Sequence, residues 1–138
     1  MNSNNHITVD QIKNDAEVIK KELVEWRHYL HAHPELSFKE ERTTHYIVNK
    51  LKNFGYTDIQ IGFGPLKTGV MVEIGSGRPC VMLRADIDAL PIQEQTGVEF
   101  CSQSKGVSHA CGHDAHITNL LGVAKLLKKY ENSIKGRV

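Results

Sequence analysis

The chain has 138 residues, 40% of them apolar and 24% charged, with a formal net charge of +1. A soluble-type composition at this length suits one globular domain, which hides roughly two thirds of its unfolded surface and needs no disulfide or metal merely to fold. The near-neutral balance and scattered lysines exclude the basic stripe that a nucleic-acid partner demands, and no stretch approaches the ~20 apolar residues of a membrane span.

The opening "MNSNNHITVDQIKND" has no basic segment followed by an apolar run, so no secretory signal is read and a cytoplasmic location is expected. After this polar tail, Thr8 and Gln11 stand at capping-box spacing, and Ile12, Ala16, Ile19, Leu23, Trp26 and Leu30 recur at intervals of four and three. That recurrence marks one apolar face of a helix. Pro34 disfavours helical geometry at His33, so the helix should stop around "HAHPEL". Ser37 and Glu40 make a second candidate capping box, followed by Ile47, Val48, Leu51 and Phe54 on one face and Gly55 as a stop.

The period then changes. Ile59, Ile61 and Phe63 alternate with polar residues, as do Val70, Val72 and Ile74 after the break at "GFGPLKTG", and both segments read as strands. Residues 79–87, "PCVMLRADI", begin as a continuous apolar run that suits a strand covered on both faces, with "GSGRP" before it as a hairpin connection. The helical period returns at Ile117, Leu120, Leu121, Ala124 and Leu127, with Asp114 placed to cap the start, and the closing "IKGRV" looks like the turn into a further strand. The order of helices and strands predicts a layered α/β fold.

Chemistry-bearing residues concentrate in "SHACGHDAH", residues 108–116, on the loop between the third strand and the third helix. Such transitions are where α/β proteins place ligands. Cys111 and His113 are close enough in sequence to reach one divalent ion or an ion pair, although spacing alone favours a solvated, imidazole-rich loop. Arg84, Asp86 and Asp88 share one parity at a strand end. They read either as a solvent-facing salt bridge or as an aspartate that orients a metal-ligating imidazole. His28, His31, His33 and His45 are assigned surface or capping roles, while His109 and His116 flank the motif without a role that spacing can fix. Cys80 and Cys101 are expected to be structural, and the odd total of three cysteines argues for free thiols or ligands over disulfides.

Three stretches in this order, "WRHYLHAHPELSFKEERTTHYI" (26–47), "LRADIDALPIQEQTG" (83–97) and "SHACGHDAHITNLLGVAKLL" (108–127), resemble the N-terminal part of the metal-dependent amidohydrolases. That family includes hippurate hydrolase, N-acyl-amino-acid deacylases and plant auxin-conjugate hydrolases. The resemblance implies a partial three-layer, zinc-peptidase-like catalytic domain with helices packed on a mixed sheet, incomplete at its C-terminus. Residues 1–138 would be the N-terminal part of that domain, without the family's smaller dimerisation domain. It implies that Cys111 and His113 are metal ligands, that Asp86 supports the metal centre, and that Arg84 takes the slot of a histidine ligand in related peptidases. The implied cofactors are two divalent ions drawn from Zn, Mn, Co or Ni, the implied substrate a small N-acyl amino acid, and the full-length form a homo-oligomer.

The family's catalytic Glu-Glu pair has no counterpart here, since Glu131 is the only acidic residue after His116. The isolated chain is therefore expected to have little amidase activity. Two readings follow: part of a metal-dependent amidohydrolase, or a truncated, non-catalytic metal-binding or interaction module.

Overall fold

The computed structural model describes residues 7–63 and 65–138; the polar tail up to residue 6 and Gly64 of the "GFGPLKTG" break lie outside them. Helix α1, Val9–Ala32, starts with the expected capping box: the Gln11 amide donates to Thr8 Oγ1 at 3.2 Å, and the Thr8 amide to Gln11 Oε1 at 2.7 Å. It ends where Pro34 predicts, with His33 as C-cap. Its stripe buries Ile19, Trp26 and Leu30, while Ile12 stands clear of the core at 43% exposure.

Helix α2, Glu41–Phe54, is capped differently from the expectation. Its N-cap, Glu40, makes no side-chain cap bond. The Ser37 hydroxyl instead donates to Asp88 Oδ2 at 2.7 Å. The first-turn amides are satisfied by Glu35, whose carboxylate accepts from the Arg42 amide at 3.2 Å and from the Thr43 amide and hydroxyl at 2.8 and 2.9 Å. Burial pushes the Glu35 pKa up, but these Thr43 and Arg42 bonds outweigh it and hold the carboxyl below its ordinary value. At the other end Gly55 adopts the left-handed conformation, φ 98°, which stops the helix as read.

Strands β1, Ile59–Ile61, and β2, Val70–Val72, pair antiparallel with Ile59 opposite Val72. Strand β3, Gly75–Ser76, does not turn back on the segment that follows it. It pairs antiparallel with β4, Gly136–Arg137, at the far end of the chain, so "GSGRP" is not a hairpin. Between these strands, α3 runs from His113 to Lys129 and a 3₁₀ turn spans Glu131–Ser133.

The segment 79–87 departs furthest from expectation. Its pairing reduces to one parallel bridge, Cys80 to Arg137, and Val81, Met82 and Leu83 are 51%, 82% and 47% exposed. An apolar run becomes a covered strand only where other strands and layers meet it, and among the described residues its backbone bonds only that of Arg137, while Ile87 alone of the run packs against the core. Cys80 is accordingly exposed, as are Cys101 and Cys111, and all three thiols are free.

The core lies where α1, α2 and α3 converge over the small sheets: Trp26, Leu30, Ile47, Leu51, Tyr56, Ile74, Ile117, Leu121 and Ala124 form one buried cluster. The Tyr56 hydroxyl crosses it to donate to the Ala124 carbonyl at 2.9 Å. Among the described residues no helix is long and apolar enough to cross a membrane.

Candidate metal centre

The site is built at the start of α3. Gly112, the N-cap, sits at φ 80°, a left-handed turn that glycine adopts without steric cost. The chain can therefore bend sharply between Cys111 and the first helical residue, His113. The His113 Nδ1 lies 2.9 Å from both the backbone oxygen and Oδ1 of Asp88. Both are acceptors, so Nδ1 carries a proton, and Nε2 is the nitrogen left to offer a ligand lone pair. That lone pair faces Asp86 Oδ2 at 4.0 Å. His116, one helical turn on, brings its ring to 5.4 Å from that of His113.

Asp86, His113 and His116 each offer a ligand atom, all within 4.8 Å of one another. One ion bonded at about 2.0–2.2 Å to each needs its ligand atoms roughly 3–4 Å apart, so a small contraction closes the set. A carboxylate with two imidazoles suits zinc and neighbouring divalent ions. The Arg84 guanidinium bonds the other oxygen, Oδ1, of Asp86.

The structure thus brings together Asp86 and His113 and adds His116, which the sequence reading left without a role. Its signal was present in "HDAH", since two histidines three apart on a helix share a face. Cys111 is exposed and stands outside this group of three. The aspartate that orients an imidazole is Asp88, two residues beyond Asp86. Ser37 and His113 hold the Asp88 carboxyl below its ordinary pKa against the opposing effect of burial, the Ser37 bond being the largest cause.

Two other residues differ from the sequence reading. Asp114 does not cap α3; it is completely buried, and its Oδ2 accepts from His31 Nδ1 at 2.8 Å and Arg27 Nε at 3.2 Å. His31 is correspondingly no surface group, its side chain being 12% exposed. His33 and His45 do bond back to helix carbonyls, of Tyr29 and Glu41, in the local roles expected. His109 is buried, neither ring nitrogen has a hydrogen-bond partner among the described residues, and burial keeps its pKa below the ordinary value.

Residues 82–138, which carry Asp86, Cys111, His113 and His116, match the peptidase family M20/M25/M40. Over these residues the chain is similar to that family. It is 42% identical over 134 residues to an N-acyl-L-amino acid amidohydrolase of Geobacillus stearothermophilus, covering 96% of this chain and 35% of that protein. It is 49% identical over 122 residues to an N-acetyl-L-cysteine deacetylase of Bacillus subtilis, covering 87% and 29%. The crystal structure of the Bacillus subtilis YXEP protein, a dinuclear metal binding peptidase from the M20 family, superposes with a TM-score of 0.78 at 43% identity, covering 88% of this chain and 34% of that one. The chain spans about a third of the length of these relatives. The partial α/β fold expected from the sequence is the fold of these M20 domains.

Proposed function

We propose that this chain is the N-terminal part of the catalytic domain of an M20-family, metal-dependent hydrolase that cleaves the amide bond of N-acyl amino acids. The observation that carries this reading is the fixed His113 ring, with its proton held on Nδ1 by Asp88 and its free nitrogen facing Asp86. Asp86, His113 and His116 would hold a divalent ion, and Cys111, two residues before His113, would join them as a thiolate ligand or bridge to a second ion. A bound divalent pair supplies carbonyl polarisation and a water activated near neutral pH. The chain's own contribution is orientation: Asp88 keeps the His113 proton away from the ligand side, and Ser37 keeps Asp88 in place. A homo-oligomeric full-length form and a cytoplasmic location belong to the same reading and rest on the family resemblance.

Calorimetric titration with Zn²⁺, Mn²⁺ and Co²⁺ tests the site. His113→Ala and Asp86→Asn should abolish binding and Cys111→Ser should weaken it, whereas Asp88→Asn should cost about 10–100-fold in affinity through loss of ring orientation. Binding that survives both His113→Ala and Asp86→Asn unchanged would remove the site. The activity is tested on the full-length protein, where His113→Ala should stop release of the free amino acid from its N-acyl derivative.

A further inference from the structure

His31 is gripped at both ring nitrogens, with Nδ1 at 2.8 Å from Asp114 Oδ2 and Nε2 at 3.0 Å from Glu94 Oε1. Both partners are carboxylates that only accept, so the ring donates from both sides and is an imidazolium. Asp114 has no exposed surface, and the Glu94 side chain is 5% exposed. The Glu94 carboxylate is itself fixed by the Ser102 amide and the Thr96 hydroxyl, each at 2.5 Å. One ring in the last turn of α1 therefore ties down both the loop after residue 90 and the first turn of α3.

That turn carries the candidate ligands. Asp114 directly follows His113, and the two side chains are held by different segments: His113 by Asp88, Asp114 by α1. Gly112 itself is held by backbone bonds alone, its amide donating to the His109 carbonyl and its carbonyl accepting from the Ala115 and His116 amides, so the side-chain anchors of the helix start are His113 on Asp88 and Asp114 on α1. Arg27, the other donor to Asp114, is 47% exposed and can exchange its bond for water, whereas His31 is shielded.

We propose that His31 is a positioning residue: through Asp114 it sets the orientation of the first turn of α3, and so the Nδ1–H to Asp88 geometry of His113. What the positioned ring then binds rests on the metal reading above; the positioning itself belongs to the metal-free chain.

The two are separated by paired measurements. In metal-free protein, long-range ¹H–¹⁵N correlation of the His113 ring should report a single Nδ1–H tautomer. In His31→Gln, which keeps one donor and similar bulk, it should become a tautomer mixture while circular dichroism stays native. Glu94→Gln, which leaves the Asp114 contact intact, should keep the wild-type signal. Should His31→Gln fail to fold, Arg27→Leu strips a donor from the same carboxylate and should move the signal in the same direction by less. An unchanged His113 signal in the folded variant overturns the proposal. Co²⁺ titration forms the second arm, with His31→Gln expected to bind about tenfold more weakly and with an altered visible spectrum. Wild type that binds no Co²⁺ while the tautomer still responds to His31→Gln would overturn the metal reading and support the positioning. Tight, identical Co²⁺ spectra in both proteins would do the reverse.

Discussion

Asp114 has no exposed surface, and its carboxylate is shared between an imidazole and a guanidinium. Removing such an acceptor leaves a shielded donor with nothing to bond. Asp114→Ala should therefore cost about 1–3 kcal/mol in urea denaturation, most of it through the stranded His31 Nδ1–H, because Glu94 still pairs the ring at Nε2 and half-exposed Arg27 can rehydrate. The same network sets a pH window. Burial pushes the Glu94 pKa up, but bonds from Thr96, Ser102 and His31 outweigh it and hold the carboxyl at about 2. A folded pKa below the unfolded value of 4.5 gives stability that is present above pH 4.5 and is lost as pH falls toward 2. For His31, burial pulls the pKa down, yet Glu94 and Asp114 together raise it above 6.5. Its contribution is complete below pH 6.5 and fades as pH rises through the folded value. Buried His109, held below its ordinary pKa, has the opposite dependence and loses stability as pH falls below 6.5, so the two clean arms of the urea midpoint are the acid loss below pH 4.5 and the alkaline loss above pH 6.5, and His31→Gln should flatten the second.

At the level of elements, what could be read from the sequence divides by range. The α1 box, the Pro34 stop and the Gly55 stop are settled within a few residues, and all three are where the pattern places them. Ser37 and Asp114 had equally good local credentials as caps, but each is claimed by a residue far along the chain, Asp88 and His31. Local spacing cannot register such competition. Nor can it show that Glu35, six residues before α2, caps that helix; Glu35→Ala should cost about 0.5–2 kcal/mol in thermal or urea unfolding, as the loss of an N-cap does. The cysteine and histidine of "CGH" stand out by residue type, whereas His116 and Asp88 gain their places only where the start of α3 meets the segment that carries Asp86 and Asp88. Contact between α1 and α3 is equally specific. A Cβ on Gly122 would meet Leu23 Cδ2 at 3.0 Å, so Gly122→Val should destabilise by about 1–3 kcal/mol despite the better helix propensity.

For the molecule as a whole, the apolar run 81–83 is left at the rim of a groove of about 490 Å³ whose walls include Val70, Ile87, Ile117 and Leu120. Apolar backbone edges of this kind promote self-association. Met82→Lys, at the most exposed of these positions, should lower concentration-dependent association of the 138-residue chain in sedimentation velocity without moving its unfolding midpoint. An unchanged sedimentation profile would show that this edge is not where copies meet. Toward its other end the same segment is firmly attached: Ala89 is buried, its amide bonds Glu35 at 2.7 Å, and Leu90 and Ser108 exchange amide bonds at 3.0 Å. Along one stretch of chain, then, amide hydrogens at Met82 and Leu83 should exchange with deuterium at nearly the rate of an unstructured peptide, while those at Ala89 and Leu90 should persist until global opening. Asp88 adjoins the anchored Ala89, so the carboxylate that holds the His113 ring is carried by the slow-exchanging side of the segment, while Asp86 stands nearer its open edge.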